Sequence, residues 1–177
     1  MRPSSLSATA SGSALVSSDG FRAAMRRFPT GVTIVTTLVD GKPYGFTANA
    51  FTSVSAEPPM VLICVNREAS SHPLISQAGF FCVNILAGDQ VEIAKRFADR
   101  ATREGRFEGL KSRTEATGAP ILDGALAFVD CRLAEEHTAG THTVFLGSVE
   151  ASGAQAGSPL GYFNAGYRDF GVEVGPT

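Results

Sequence analysis

Apolar positions along this chain fall mostly in short blocks rich in β-branched residues, divided by turn residues, and few stretches repeat at the helical period. Val32 to Val39 is the densest block, and Asp40-Gly41 after it predicts a hairpin, with Lys42 to Phe51 pairing back. Met60 to Val65 reads as a fully apolar strand after Pro58-Pro59. Phe80 to Leu86, Ala125 to Glu135 and Thr143 to Ala151 follow, with a last strand expected near Leu160 to Phe170. Helices are predicted in three places. Ser18-Asp19-Gly20 supplies an N-cap for a helix with Phe21, Met25 and Phe28 on one face, stopped by Pro29 and Gly31. Ser71 to Ala78 carries Pro73 in its first turn, and Asp89 to Ala98 turns Val91, Ile93, Ala94 and Phe97 inward. Arg100 to Gly118 is polar and loop-like. Many strands, few helices and short connections give a mainly β fold, a closed or nearly closed barrel with helices packed outside.

Composition narrows the function. The chain has 177 residues, 44% of them apolar, enough for one domain with a sizeable core. Residues 1–18 read as a flexible Ser/Ala-rich tail without a signal-peptide apolar region, and residues 19–177 as the single domain. A net charge of -2 with no basic block argues against nucleic acid and anionic membranes, and no apolar run is long enough to span a bilayer. Cys64, Cys82 and Cys131 are far apart and lie in apolar runs. They read as small, reduced, buried side chains of a cytoplasmic protein, with no metal site expected. Exposed strand edges and apolar faces predict pairing with a second copy, with a ligand cleft along the seam.

One run stands apart. From Gly45 to Pro59, Thr47, Asn49, Thr52, Ser53 and Ser55 offer short hydrogen-bonding groups, and Glu57 is the only charge. Such a ribbon can bring backbone amides and hydroxyls close to a flat, polar, partly anionic ligand. It also reads simply as an edge strand with a Ser/Thr face running into a turn.

Three landmarks, Phe28 to Thr37, Gly45 to Pro59, and Gly140-Thr141-His142 followed by Val144 to Val149, together resemble the short-chain flavin reductases, the reductase partners of two-component flavin-dependent monooxygenases. The resemblance spans about Phe21 to Phe170. It implies a split β-barrel homodimer that binds FMN or FAD, takes hydride from NADH (NADPH being possible) and passes reduced flavin to a separate monooxygenase.

The resemblance also implies site residues. Thr30 lies in the first landmark. Thr47, Ala48, Asn49, Ala50 and Phe51 would run along the isoalloxazine, and Thr52, Ser53 and Ser55 would serve the ribityl chain and phosphate. Cys64, Val65, Asn66 and Arg67 with Ser70 and Ser71 match a second flavin-contacting stretch. Arg67 would grip phosphate, or remain a solvated loop charge. Asn84 would face a flavin edge or a neighbouring strand, and Arg96 would approach the cofactor or end a helix at the surface. His142 is the catalytic choice, contacting nicotinamide. The family usually carries Asp where this chain has Thr141, so an acid-assisted role for the imidazole is in doubt. Tyr162, Tyr167 and Arg168 would close the nicotinamide side, or serve as core aromatics and a surface charge. Hydride passes between the cofactors, so no protein nucleophile is required. Other readings are a flavin-binding electron carrier without nicotinamide turnover, an amine-oxidising flavoenzyme of the pyridoxamine-phosphate-oxidase kind, and a barrel without flavin.

Overall fold

The structure, a computed structural model, describes residues 16–99 and 105–170. Elements in chain order are α1 Ser18–Met25, β1 Thr30–Gly31, β2 Thr33–Val39, β3 Lys42–Ala48, β4 Phe51–Ala56, β5 Pro59–Asn66, α2 His72–Ala78, β6 Phe80–Ile85, α3 Val91–Ala98, β7 Ser112–Arg113, β8 Ile121–Leu122, β9 Ala127–Ala139, β10 His142–Ala154, β11 Leu160–Phe163 and β12 Gly166–Asp169. The expected tail lies outside the described residues up to residue 15. Ser17, not Ser18, caps α1, its hydroxyl accepting from the Gly20 amide at 3.1 Å.

Seven strands form one antiparallel sheet in the order β3-β2-β6-β9-β10-β5-β4. Its two edges, β3 and β4, are consecutive in the chain and are joined by Asn49 and Ala50 alone. Laid flat, such a sheet would be about 29 Å across, since strands lie about 4.8 Å apart. Three Cα–Cα steps reach only about 11 Å. The sheet therefore curls until its edges converge at Asn49-Ala50.

Strand β2, next to the edge strand β3, is buried on both faces. Val35 packs in a cluster with Ile63, Phe81 and Phe145, while Ile34 packs in another with Phe97, Leu86 and Leu160. Its threonines are buried without penalty because each hydroxyl donates to a carbonyl: Thr33 to Ala48, Thr36 to Pro120 and Thr37 to Phe80. Gly45 lets α3 settle on β3, since a Cβ there would stand 2.7 Å from the Phe97 ring. A second small sheet, β1-β11-β12, hangs beside β2 through bonds linking Val32, Leu86 and Leu160.

The expected final strand is two strands, β11 and β12, turning at Asn164 (φ 49°) and Ala165 (φ 59°). The expected strand from Lys42 to Phe51 breaks at Asn49, and the β9–β10 hairpin runs through His137 to a tight turn at Gly140-Thr141. Part of the Arg100 to Gly118 loop lies outside the described residues.

Asn84 is a correction to the site expected from sequence. It is fully buried, and its Nδ2 lies within hydrogen-bond reach of the Ile34 carbonyl (3.1 Å) and the Thr36 hydroxyl (3.1 Å), while its Oδ1 accepts from the Leu122 amide (2.7 Å). It pins the 119–122 segment to β2 and lines neither of the two cavities described below. Asn84→Ala leaves the Leu122 amide buried and unpaired, so the unfolding free energy should drop by about 3 kcal/mol in urea titration. Flavin affinity of the folded variant should not change.

Candidate functional site

The convergence of β3 and β4 opens a cavity of about 480 Å³. Thr47, Ala48, Asn49 and Ala50 form one wall. Cys64, Val65 and Asn66 at the end of β5, with Ser70 and Ser71 before α2, form a second. His142 opens β10 opposite Asn66, and Tyr162 and Tyr167 hang over from the small sheet.

Asn49 and Ala50 sit between strands, and their amides belong to neither ladder. The link is held from both sides: Ala48 O accepts from the Thr33 hydroxyl (2.8 Å), and Ala50 O accepts from the Cys64 amide (3.0 Å). Thr47 donates its hydroxyl to Ala94 O at 2.6 Å, tying β3 to α3 and leaving only acceptor capacity toward the cavity. Asn66 Oδ1 accepts from the Glu68 amide at 2.8 Å, shaping the turn before Ser70.

His72 and His142 differ in their surroundings. His72 Nε2 is 2.8 Å from the Thr143 hydroxyl, and its ring packs 5.3 Å from Phe145, so it is a structural residue. His142 Nδ1 is 3.0 Å from the Thr141 hydroxyl, and the residue lines the cavity. Thr141, standing where the resemblance predicts an acid, is a neutral partner to that ring. Tyr162 and Tyr167 meet edge to face at 5.6 Å. Burial, and next the neighbouring Tyr162, push the Tyr167 phenol up, so it stays a protonated donor at neutral pH.

Of the site residues expected from sequence, Thr47, Ala48, Asn49, Ala50, Cys64, Val65, Asn66, Ser70, Ser71, His142, Tyr162 and Tyr167 are brought together. The others are placed elsewhere. Phe51 packs against the core, and the Thr52 hydroxyl donates to Ser53 O on the exposed strand β4. Ser53 is solvent-exposed there, and Ser55 accepts from the Glu57 amide to shape the turn. Arg67 is exposed at the turn where its amide donates to Thr141 O. Arg96 donates to Glu108 O, and Arg168 to Tyr167 O. Thr30 lines a second cavity.

Sequence reading missed Val32, Phe46, Glu68, Ala69, Phe97, Ala98 and Arg106 as lining residues. The two phenylalanines read as plain core positions. Arg106 lies in an unpatterned loop, where it donates to Gly45 O at 2.8 Å and also to Asp99 O. The site thus has an apolar floor, amide and hydroxyl donors on two walls, and a histidine and two tyrosines at its mouth. A planar heterocycle with a polar edge and a phosphorylated tail fits this donor set. Among the described residues no cluster of His, Cys, Asp and Glu could hold a metal ion.

Comparison with known proteins agrees with this geometry. The family model for the flavin reductase like domain matches residues 25–171. The chain belongs to the flavin reductase-like family. It is 41% identical over 152 residues to a flavin reductase of Pseudomonas putida, covering 85% of this chain and 88% of that protein. It is 39% identical over 158 residues to HsaB, the reductase subunit of a flavin-dependent monooxygenase of Rhodococcus jostii, covering 89% and 79%. Among solved structures, an NADH:FAD oxidoreductase of Streptomyces globisporus, in complex with NAD and FAD fragments, superposes with a TM-score of 0.81 at 36% identity, covering 86% of this chain and 92% of that one.

Cys64 gives a probe of this reductase-like cavity that does not depend on turnover. Burial pushes all three thiols up, Cys131 to about 12 and Cys82 further, and only Cys64 is partly exposed. Because the thiolate is the nucleophile, alkylation of the native protein should modify Cys64 alone, faster as pH rises. Saturating FMN should slow that reaction about tenfold or more, a rate readable by mass spectrometry.

Proposed function

We propose that the chain is an NADH-dependent flavin reductase that supplies reduced flavin to a separate monooxygenase. One observation carries the reading. The Asn49-Ala50 link, which lies between the two edge strands, lines one cavity with His142. Family membership and the names of the relatives support the chemistry. The nicotinamide would come from NADH, with NADPH possible, and the flavin would be FMN or FAD.

Bound together, nicotinamide supplies the hydride and flavin the ring that accepts it. The protein's own work is placement and electrostatics. Thr47 to Ala50 would hold the flavin ring, and the Asn49 carboxamide and the link amides would face its pyrimidine edge, where negative charge collects on reduction. These donors are fixed beforehand by Thr33 and Cys64. Asn66, Ser70 and Ser71 would take the phosphorylated tail. His142 Nε2 would bond the nicotinamide carboxamide, and the tyrosines would exclude water above the stacked rings. Holding the two rings in register contributes several kcal/mol of the barrier.

The chain would act as a homodimer of curled, split barrels. Val54, 49% exposed on edge strand β4, supports this, because an open apolar edge is normally covered. Val54→Asp should halve the mass seen by sedimentation. The three free thiols fit a cytoplasmic, reducing setting.

The function is tested by adding NADH to the purified protein in air. NADH consumption that depends on added FMN or FAD is expected. A bound flavin that both NADH and NADPH leave oxidised would identify an electron carrier instead. His142→Ala should raise KM for NADH about tenfold, the worth of one hydrogen bond, with KM for flavin held within about twofold. Equal increases for both would remove His142 from the nicotinamide side.

A further inference from the structure

Glu68 lines the cavity at the Asn49-Ala50 link, and its carboxylate has no ion pair among the described residues. We infer that Glu68 is a specificity-determining residue that grades flavins by the charge on the tail phosphate, favouring the bridging phosphate of FAD over the terminal phosphate of FMN. The inference rests on the flavin-reductase reading above. Three observations carry it.

The first is position. Glu68 stands in the turn that follows β5, between Asn66 and the two serines to which the tail is assigned. That turn is tied down at three points. The Glu68 amide donates to Asn66 Oδ1 (2.8 Å), the Ala69 amide to Asn66 O (3.0 Å) and the Arg67 amide to Thr141 O (3.0 Å). The backbone therefore holds Glu68 beside Ser70 and Ser71.

The second is the balance of charge on that wall. Arg67 is the neighbouring cation, but it is exposed and lies outside the set of residues that line the cavity. Arg106 does line it, with its guanidinium turned to Gly45 O and Asp99 O at the β3 and α3 side. Next to Glu68 stand Ser70 and Ser71, whose neutral hydroxyls can hydrogen-bond a phosphate of either charge.

The third is the chemistry of the ligands. At neutral pH a terminal phosphate monoester carries about 1.5 to 2 negative charges. The corresponding phosphate of FAD, closed into a pyrophosphate bridge, carries a single charge, and riboflavin has no phosphate. The ring and ribityl chain are common to all three flavins. A carboxylate beside the tail therefore repels FMN most, FAD less and riboflavin not at all. Glu68 is exposed, so water and salt reduce that repulsion to a few-fold change in affinity.

The test is calorimetric titration of riboflavin, FMN and FAD into the full chain at low salt. Glu68→Gln should tighten FMN about fourfold and FAD about twofold, and change riboflavin by less than about 1.5-fold. Glu68→Lys should tighten FMN further. Salt at about 0.5 M should bring wild type and Glu68→Gln together for FMN. The side chain is exposed and the Glu68 amide still donates to Asn66, so the fold should tolerate both changes, and riboflavin affinity reports on it. The inference is overturned if FMN binds Glu68→Gln no more tightly than wild type, or if all three flavins shift by the same factor. Flavin binding by wild type without this grading would overturn the role of Glu68 and leave the reductase reading standing. If none of the three flavins binds wild type, both fall.

Discussion

Two residues must join the edges of a seven-stranded sheet, and the site grows from that constraint. Open sheet edges are ordinarily a hazard because their amides and carbonyls seek partners. Here the curl brings the two edges together, and the link between them belongs to neither ladder. Its conformation is still not free. The Thr33 hydroxyl holds Ala48 O on the β3 side, and the Cys64 amide holds Ala50 O on the β5 side. Donors held this way need little reorganisation when a ligand arrives, and this is how a protein without a nucleophile of its own can favour a change of charge on a bound ring.

Paired buried polar groups stiffen the scaffold around that link. Asn84 and Thr36 join β6, β2 and the 119–122 segment, and Asp130 takes the Thr117 amide and hydroxyl. Losing one member of such a set exposes the desolvation penalty of the rest. The cavity walls, in contrast, are formed largely by half-buried and exposed residues such as Asn49, Ala50, Ser70 and Tyr167. Rigid strands therefore carry an accessible surface.

Much of this was legible in the sequence, for identifiable reasons. The β-branched block before Asp40-Gly41 could only be a strand entering a hairpin, and β2 and β3 pair from Val39 and Lys42 as that turn requires. The ribbon from Thr47 to Ala50 read equally as an edge strand and as a ligand wall, and the structure places it along the cavity. Its continuation was misread. Thr52 and Ser53 have the same chemistry as Thr47, but they follow the break, on a strand whose faces look to solvent. Composition does not report a two-residue break. Asn84 was misplaced because an amide in an apolar strand fits a ligand edge and a structural bond equally well, and only the distant Leu122 amide decides between them. The β11–β12 hairpin was hidden because Asn164-Ala165 supplies two positive φ angles without the glycine that usually marks such a turn.

The placement of His142 shows how register becomes chemistry. Successive residues of a strand face opposite ways. Thr143 is buried and meets His72, so His142 must face the other side, where the cavity lies. A slip of one residue would exchange the two and bury the imidazole that now lines the cavity. Two irregularities interrupt the β9–β10 ladder, one between Leu146 and Gly147 and the other between Val149 and Ala151. The first takes up an extra residue on β9 and the second an extra residue on β10, so they cancel. The twist they add is absorbed along the hairpin, and the Gly140-Thr141 end keeps the register of the Ala127–Ala154 end. The tight turn and β5, which pairs His142 with Asn66, then fix the imidazole against the wall that carries Ser70 and Ser71. A long hairpin with compensating bulges lets the sheet curl enough to bring its edges together while His142 keeps its place on the cavity wall.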